Sequence, residues 1–149
     1  MSGLVSARHS SISKTATWLG WGGLLPFFGL PVAMAIYPNH QALCAQTLAA
    51  YSLGIICFLL GTWWGLTLIR RYTSALLMSN GLFLVTFASY ILHDLQTFFM
   101  TSALLFIVLL LIERRHALFR EQPVYYARLR ALLSVTASLS LVSAATIMY

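Results

Sequence analysis

The sequence predicts an all-α fold, a polytopic bundle of five transmembrane helices, and three observations carry that prediction. The 25 residues from Ala45 to Ile69 contain no charge and no proline. At ~1.5 Å of rise per residue they make roughly 37 Å of helix, more than the ~30 Å hydrocarbon core of a bilayer requires. Charged residues are 8% of the chain and hydrophobic residues 60%, whereas soluble domains run at ~25% charged. The nine lysines and arginines fall before or between the apolar runs, with Arg130 at the very edge of the last, as topology signals do. The longest polar stretches are the first 17 residues and the 16 from Glu113 to Arg128. Neither is long enough to enclose a second core, so one membrane domain, residues 18–149, is expected.

Residues 1–17 form a basic tail with Arg8 and Lys14 and no acid. The tail resembles the start of a targeting segment, but the run that follows is rich in glycine and proline and lacks a convincing small-residue cleavage site, so the tail is expected to be retained. The first span, residues 18–37, carries Gly20, Gly22, Gly23, Pro26, Gly29 and Pro31. Each proline removes a backbone hydrogen bond and presses on the preceding turn, which predicts a kink near Pro26 and a helix end near Pro31 or Pro38. Some transporters use such a broken helix to bind a substrate or ion. The plainer reading, a bent packing helix, is preferred.

The second span covers residues 45–69 and ends on Arg70 and Arg71. Gly61 and Gly65 lie four apart on one face, with Gly54 two turns earlier. A face without side chains predicts a close helix contact, with span one, with the Ser134/Ser138 face of span five or with a second copy of the chain. Cys44 and Cys57 are 13 positions apart on or beside this helix. They are beyond disulfide reach and are read as small apolar packing residues.

The third span, residues 73–92, begins almost at once, so spans two and three are antiparallel neighbours. Asn80 lies about two turns inside it, and its amide is expected to seek a partner on another helix, worth ~0.6 kcal/mol and at most ~2. The fourth span covers residues 96–112. Its second half, LLFIVLLLI, is apolar all the way round, which predicts a lipid-facing half. Pro123 marks the start of the last helix or of its lead-in. The fifth span, residues 129–148, places Ser134, Ser138, Leu141 and Ala145 on one stripe, a second candidate packing face.

With the N-terminus in the cytoplasm, the inner segments hold all nine basic residues: Arg8, Lys14, Arg70, Arg71, Arg114, Arg115, Arg120, Arg128 and Arg130. The positive-inside rule therefore predicts a cytoplasmic N-terminus and an outer C-terminus. Aromatics follow: Trp18, Trp21, Trp63, Trp64, Tyr72, Tyr125 and Tyr126 mark the inner face, and Tyr37, Tyr51, Tyr90 and Tyr149 the outer.

Tyr51, the run Phe58-Leu59 with Gly61, and Trp64-Gly65 resemble the most recognisable motif of a family of small bacterial and mitochondrial membrane proteins, domain of unknown function 3429. Leu19-Gly20 through Pro26-Phe27 and the run Tyr125-Tyr126-Ala127-Arg128-Leu129-Arg130 are similar to that family's first-span and last-loop patterns. Leu60 and Trp63 depart from it, where a second glycine and a polar or basic residue would be expected. The resemblance implies five helices and an inner-membrane address, bacterial or alternatively mitochondrial. It implies no activity.

Catalysis or ion transport in lipid draws on ionisable groups inside the bundle, and the sequence places none at mid-depth of any span. It contains no HExxH, no GxSxG, no phosphate-binding glycine loop and no paired carboxylates. No catalytic, cofactor-binding or metal-binding residue, and no enzyme, is therefore expected. His40, His93 and Asp94 would suit a zinc ion if the first and third loops met. Asp94 as the N-cap of span four, with both histidines in solvent, is the preferred reading. Glu113 beside Arg114 and Arg115 reads as a solvated charge cluster.

Arg114, Arg115, Arg120, Arg128 and Arg130, with Tyr125 and Tyr126, form a cationic aromatic rim. It is a candidate contact for anionic phospholipid, at ~1 kcal/mol per charge, although plain topology signalling accounts for it more simply. The same placement explains the net charge of +6 without nucleic acid. The leading expectation is a non-enzymatic accessory or assembly partner of a membrane complex, or a self-associating bundle. A carrier of lipid or small hydrophobic molecules is the alternative and would be favoured by a deep cavity between spans one, two and five. A membrane enzyme comes last and requires a convergent polar cluster.

Overall fold

Proline, an Asx cap and one strained turn punctuate the chain into helices too long and too apolar for water. The computed structural model describes residues 2–120 and 122–148, with side chains from Lys14 onward. Among them are α1 (Ser2–Ile36), α2 (Gln41–Arg70), α3 (Thr73–Leu92), α4 (Leu95–Arg115) and α5 (Val124–Ile147). Each is long and apolar enough to cross a membrane, and no strand occurs among the described residues. The chain is a multi-pass helical membrane protein. The side chain of Arg8 and the whole of Tyr149, both used in the orientation argument, lie outside the described residues.

α1 is already helical at Ser2, within the stretch expected to be a tail, and it runs unbroken through Pro26 and Pro31. Pro31 has no N–H to give the carbonyl of Phe27 four residues back. Ser140 of α5 donates its hydroxyl to that carbonyl instead. Tyr51 Oη donates to the Gly23 carbonyl, close to Pro26, at 2.9 Å. The first helix is thus a packing element, and the carbonyl that Pro31 frees is satisfied by a neighbouring helix.

The connections are tight. A single 3₁₀ turn, Pro38–His40, joins α1 to α2. Arg71 closes α2 in the left-handed region, φ 58° and ψ 42°, a conformation worth roughly 1–2 kcal/mol of strain for a residue with a Cβ. Its N–H bonds the Thr67 carbonyl at 2.8 Å. Asp94 caps α4: Oδ1 accepts from Thr97 Oγ1 at 2.7 Å and Oδ2 from the Thr97 N–H at 3.1 Å. Those two bonds, the side-chain one foremost, hold its carboxyl below the ordinary carboxylate range. A second 3₁₀ turn, Ala117–Phe119, leads from α4 towards α5.

Each helix packs on its neighbours in sequence, α5 closes back on α1, and α2 meets α4 across the interior. Phe27 of α1 projects to the centre, edge-on to Tyr51 (5.4 Å) and Phe106 (5.8 Å). α5 supplies small residues, with Ser134, Ala137, Leu141 and Ala145 buried, and Ser138 donates to the Ala103 carbonyl of α4 at 3.0 Å. The stripe read from the sequence is therefore a packing face.

Three expectations are corrected. The second half of span four is interior: Leu105, Phe106, Leu109 and Leu110 are buried, and Leu104 and Leu111 are its exposed large side chains. A helix that touches three others needs apolar side chains all round, so the pattern that also suits lipid here marks the centre of the bundle. Asn80 finds no other helix; its Nδ2 donates to Leu76 O of its own turn at 2.8 Å and the residue is exposed. Nor do Gly61 and Gly65 dock on span one or five. A Cβ built at either, or at Gly54, meets nothing within 4 Å. The glycine that admits a close neighbour is Gly20, where a Cβ would stand 3.0 Å from Leu133 Cδ1 of α5.

Candidate functional site

The acid that ends the apolar run of α4 is almost wholly withdrawn from water. Glu113 and Arg130 form an ion pair with side chains 8% and 7% exposed, Arg130 Nε lying 3.1 Å from Glu113 Oε2. Oε1 carries the hydrogen bonds: it accepts from Trp63 Nε1 at 2.9 Å and from Arg130 Nε and Nη2 at 3.3 and 3.2 Å. Arg130 Nη1 donates to Ser134 Oγ at 3.1 Å. Three helices thus contribute to one buried network, α2 through Trp63, α4 through Glu113 and α5 through Arg130 and Ser134.

This network overturns two readings. Glu113 is not part of a solvated cluster, and Trp63, fully buried, is not a rim aromatic. Desolvation explains the arrangement, since a carboxylate among apolar helices persists only with a counter-ion and donors beside it. Two signals in the sequence pointed to it. Glu113 follows Ile112 directly at the end of the apolar run, and Arg130 lies four residues before Ser134 on the small-residue stripe of α5, which directs it inward.

The turn after α4 is pinned beneath the α2–α3 turn. Arg70 Nη1 donates to the Leu118 carbonyl at 2.9 Å. His116 Nδ1 accepts from the Leu118 N–H at 3.1 Å, so the proton of the neutral ring belongs on Nε2, which faces Ser74 Oγ at 3.1 Å. Phe119 lies between the rings of Trp63 (5.2 Å) and His116 (6.3 Å).

Two clefts open beside this pinned turn. One, of about 390 Å³, runs between α4 and the start of α5 and is lined by Glu113, Arg114, Arg120, Arg128 and Arg130 among others. The other, of about 350 Å³, lies between α3 and α4 and is lined by Met78, Val108, Leu111, Arg115 and His116 among others. The five arginines of the expected rim therefore do not all line one cleft. Four share a cleft, Arg115 lies on the other side of α4, and Arg130 points inward. No three His, Cys, Asp or Glu side chains converge as metal ligands among the described residues. Gly61 and Gly65 lie on the outer surface of α2, in line with Ala50, Gly54, Phe58 and Leu68.

Residues 12–146 match the family model described as a protein of unknown function (DUF3429). No curated protein and no solved structure matches the chain.

Proposed function

The chain belongs to the DUF3429 family, and on that premise we propose that it is a non-enzymatic accessory or assembly partner of a membrane complex. The observation that carries this reading is the uncovered small-residue face of α2. Ala50, Gly54, Gly61 and Gly65 fall on one exposed stripe, Phe58 stands 68% exposed between Gly54 and Gly61, and among the described residues no neighbouring helix comes within 4 Å of a Cβ built on these glycines. Glycine inside a helix is disfavoured by up to about 1 kcal/mol relative to alanine in water. Three such glycines on one outward face are accounted for by a helix from outside the chain that needs the space. The basic residues support a cytoplasmic N-terminus, with the arginine-rich turns inside. The family resemblance supports an inner membrane, bacterial or alternatively mitochondrial.

The Gly61→Leu/Gly65→Leu double variant tests this. Within the chain both leucines have room, so the detergent-extracted protein should unfold no more easily than wild type. The membrane protein that co-purifies with wild type, identified by mass spectrometry after native purification, should be lost, or the dimer should be lost if the partner is a second copy. A destabilised chain, or an unchanged set of co-purifying proteins, would overturn the reading.

A further inference from the structure

We propose that the cleft between α4 and the start of α5 is a binding site for a phospholipid headgroup that carries both a phosphate and a hydrogen-bond donor. The site is separate from the α2 face, so either reading stands or falls alone.

The cleft gathers like charges. Arg114, Arg120 and Arg128 are exposed, and none has an ion pair among the described residues. With Arg130 they set four guanidiniums around one space, against one carboxylate, that of Glu113, among the described residues. Guanidiniums held together repel unless an anion joins them, and their planar forks suit a phosphate. The first turn of α5 borders the same space through Val124, Ala127 and Arg128 and contains no acidic residue. The positive end of the helix dipole adds to the attraction.

A second observation refines the ligand. Glu113 Oε2 is buried and, although 3.1 Å from Arg130 Nε in the ion pair, accepts no hydrogen bond among the described residues, because the Nε hydrogen is directed at Oε1. A buried carboxylate oxygen without a donor is costly, and Glu113 lines the cleft. A primary ammonium or a hydroxyl on the headgroup would supply that donor, as in phosphatidylethanolamine or phosphatidylglycerol. The quaternary ammonium of phosphatidylcholine has no N–H and could not. Leu110 and Val124 form an apolar side of the cleft, with Val124 open to the outside. That wall suits the ester end of a lipid and gives nothing to free phosphate. The volume of about 390 Å³ falls within the ~300–1,000 Å³ of small-ligand sites.

Native mass spectrometry of the full chain in detergent, with short-chain phosphatidylethanolamine, phosphatidylglycerol and phosphatidylcholine added separately, tests the proposal. The first two should bind about tenfold tighter than phosphatidylcholine. The Arg114→Gln/Arg128→Gln variant should weaken both by about tenfold or more, whereas Arg115→Gln, on the other cleft, should leave them unchanged. Inorganic phosphate in excess should not displace the lipid. The proposal is overturned if wild type binds phosphatidylcholine equally well, if Arg115→Gln weakens binding as much as the double variant, or if phosphate alone competes. The wild-type lipid comparison decides the matter even if the double variant does not fold.

Discussion

Glu113 owes its position to three donors on two other helices, and that dependence can be measured. Replacing it with leucine leaves the Arg130 guanidinium in a buried site with only Ser134 as partner, a loss of about 3–5 kcal/mol. Glu113→Gln keeps an oxygen for Trp63 Nε1 and Arg130 and should cost less. Adding Arg130→Leu to Glu113→Leu should recover most of the loss, because an apolar pair often matches a buried ion pair in stability. Reversible unfolding in mixed micelles, run as a double-mutant cycle, gives these values. A Glu113→Leu chain as stable as wild type would mean that the pair is hydrated. The sequence placed both residues but could not join them. They are 17 positions apart across a turn whose path depends on Arg70 and His116, and Trp63 arrives from a third helix.

Among the elements, α1 tests how a membrane helix tolerates proline. Ser140→Ala leaves the Phe27 carbonyl without a donor and should destabilise by about 1–3 kcal/mol. Pro31→Ala restores an N–H that reaches the same carbonyl from within α1. In that background Ser140→Ala should be nearly silent, and equal losses in both backgrounds would show that the serine acts by packing alone. Spans themselves were legible, because length and apolarity decide what can cross a bilayer. Asp94 as a cap and the Ser134 stripe were legible too, since both follow from local spacing. The direction each helix faces was harder to read. Lipid and protein interior are alike apolar, so LLFIVLLLI gave no sign that α4 is central, and glycines on α2 marked a close contact without saying whether its other half belongs to this chain.

For the molecule as a whole, an odd number of spans puts the two termini on opposite sides, and reporter fusions at Arg120 and after Tyr149 should report cytoplasm and exterior respectively. Two cytoplasmic signals would mean that one helix does not cross. The ring closed by α5 on α1 also bears on synthesis. The chain emerges N-terminus first, so α1 to α4 enter the membrane while Glu113 has only Trp63 as donor and the Phe27 carbonyl waits for Ser140. The fifth helix brings the partners of groups laid down by two earlier ones. A nascent chain halted before Val124 would therefore display an unneutralised carboxylate and an unpaired carbonyl on surfaces meant for the interior, a chemical mark by which it differs from a chain that already carries α5.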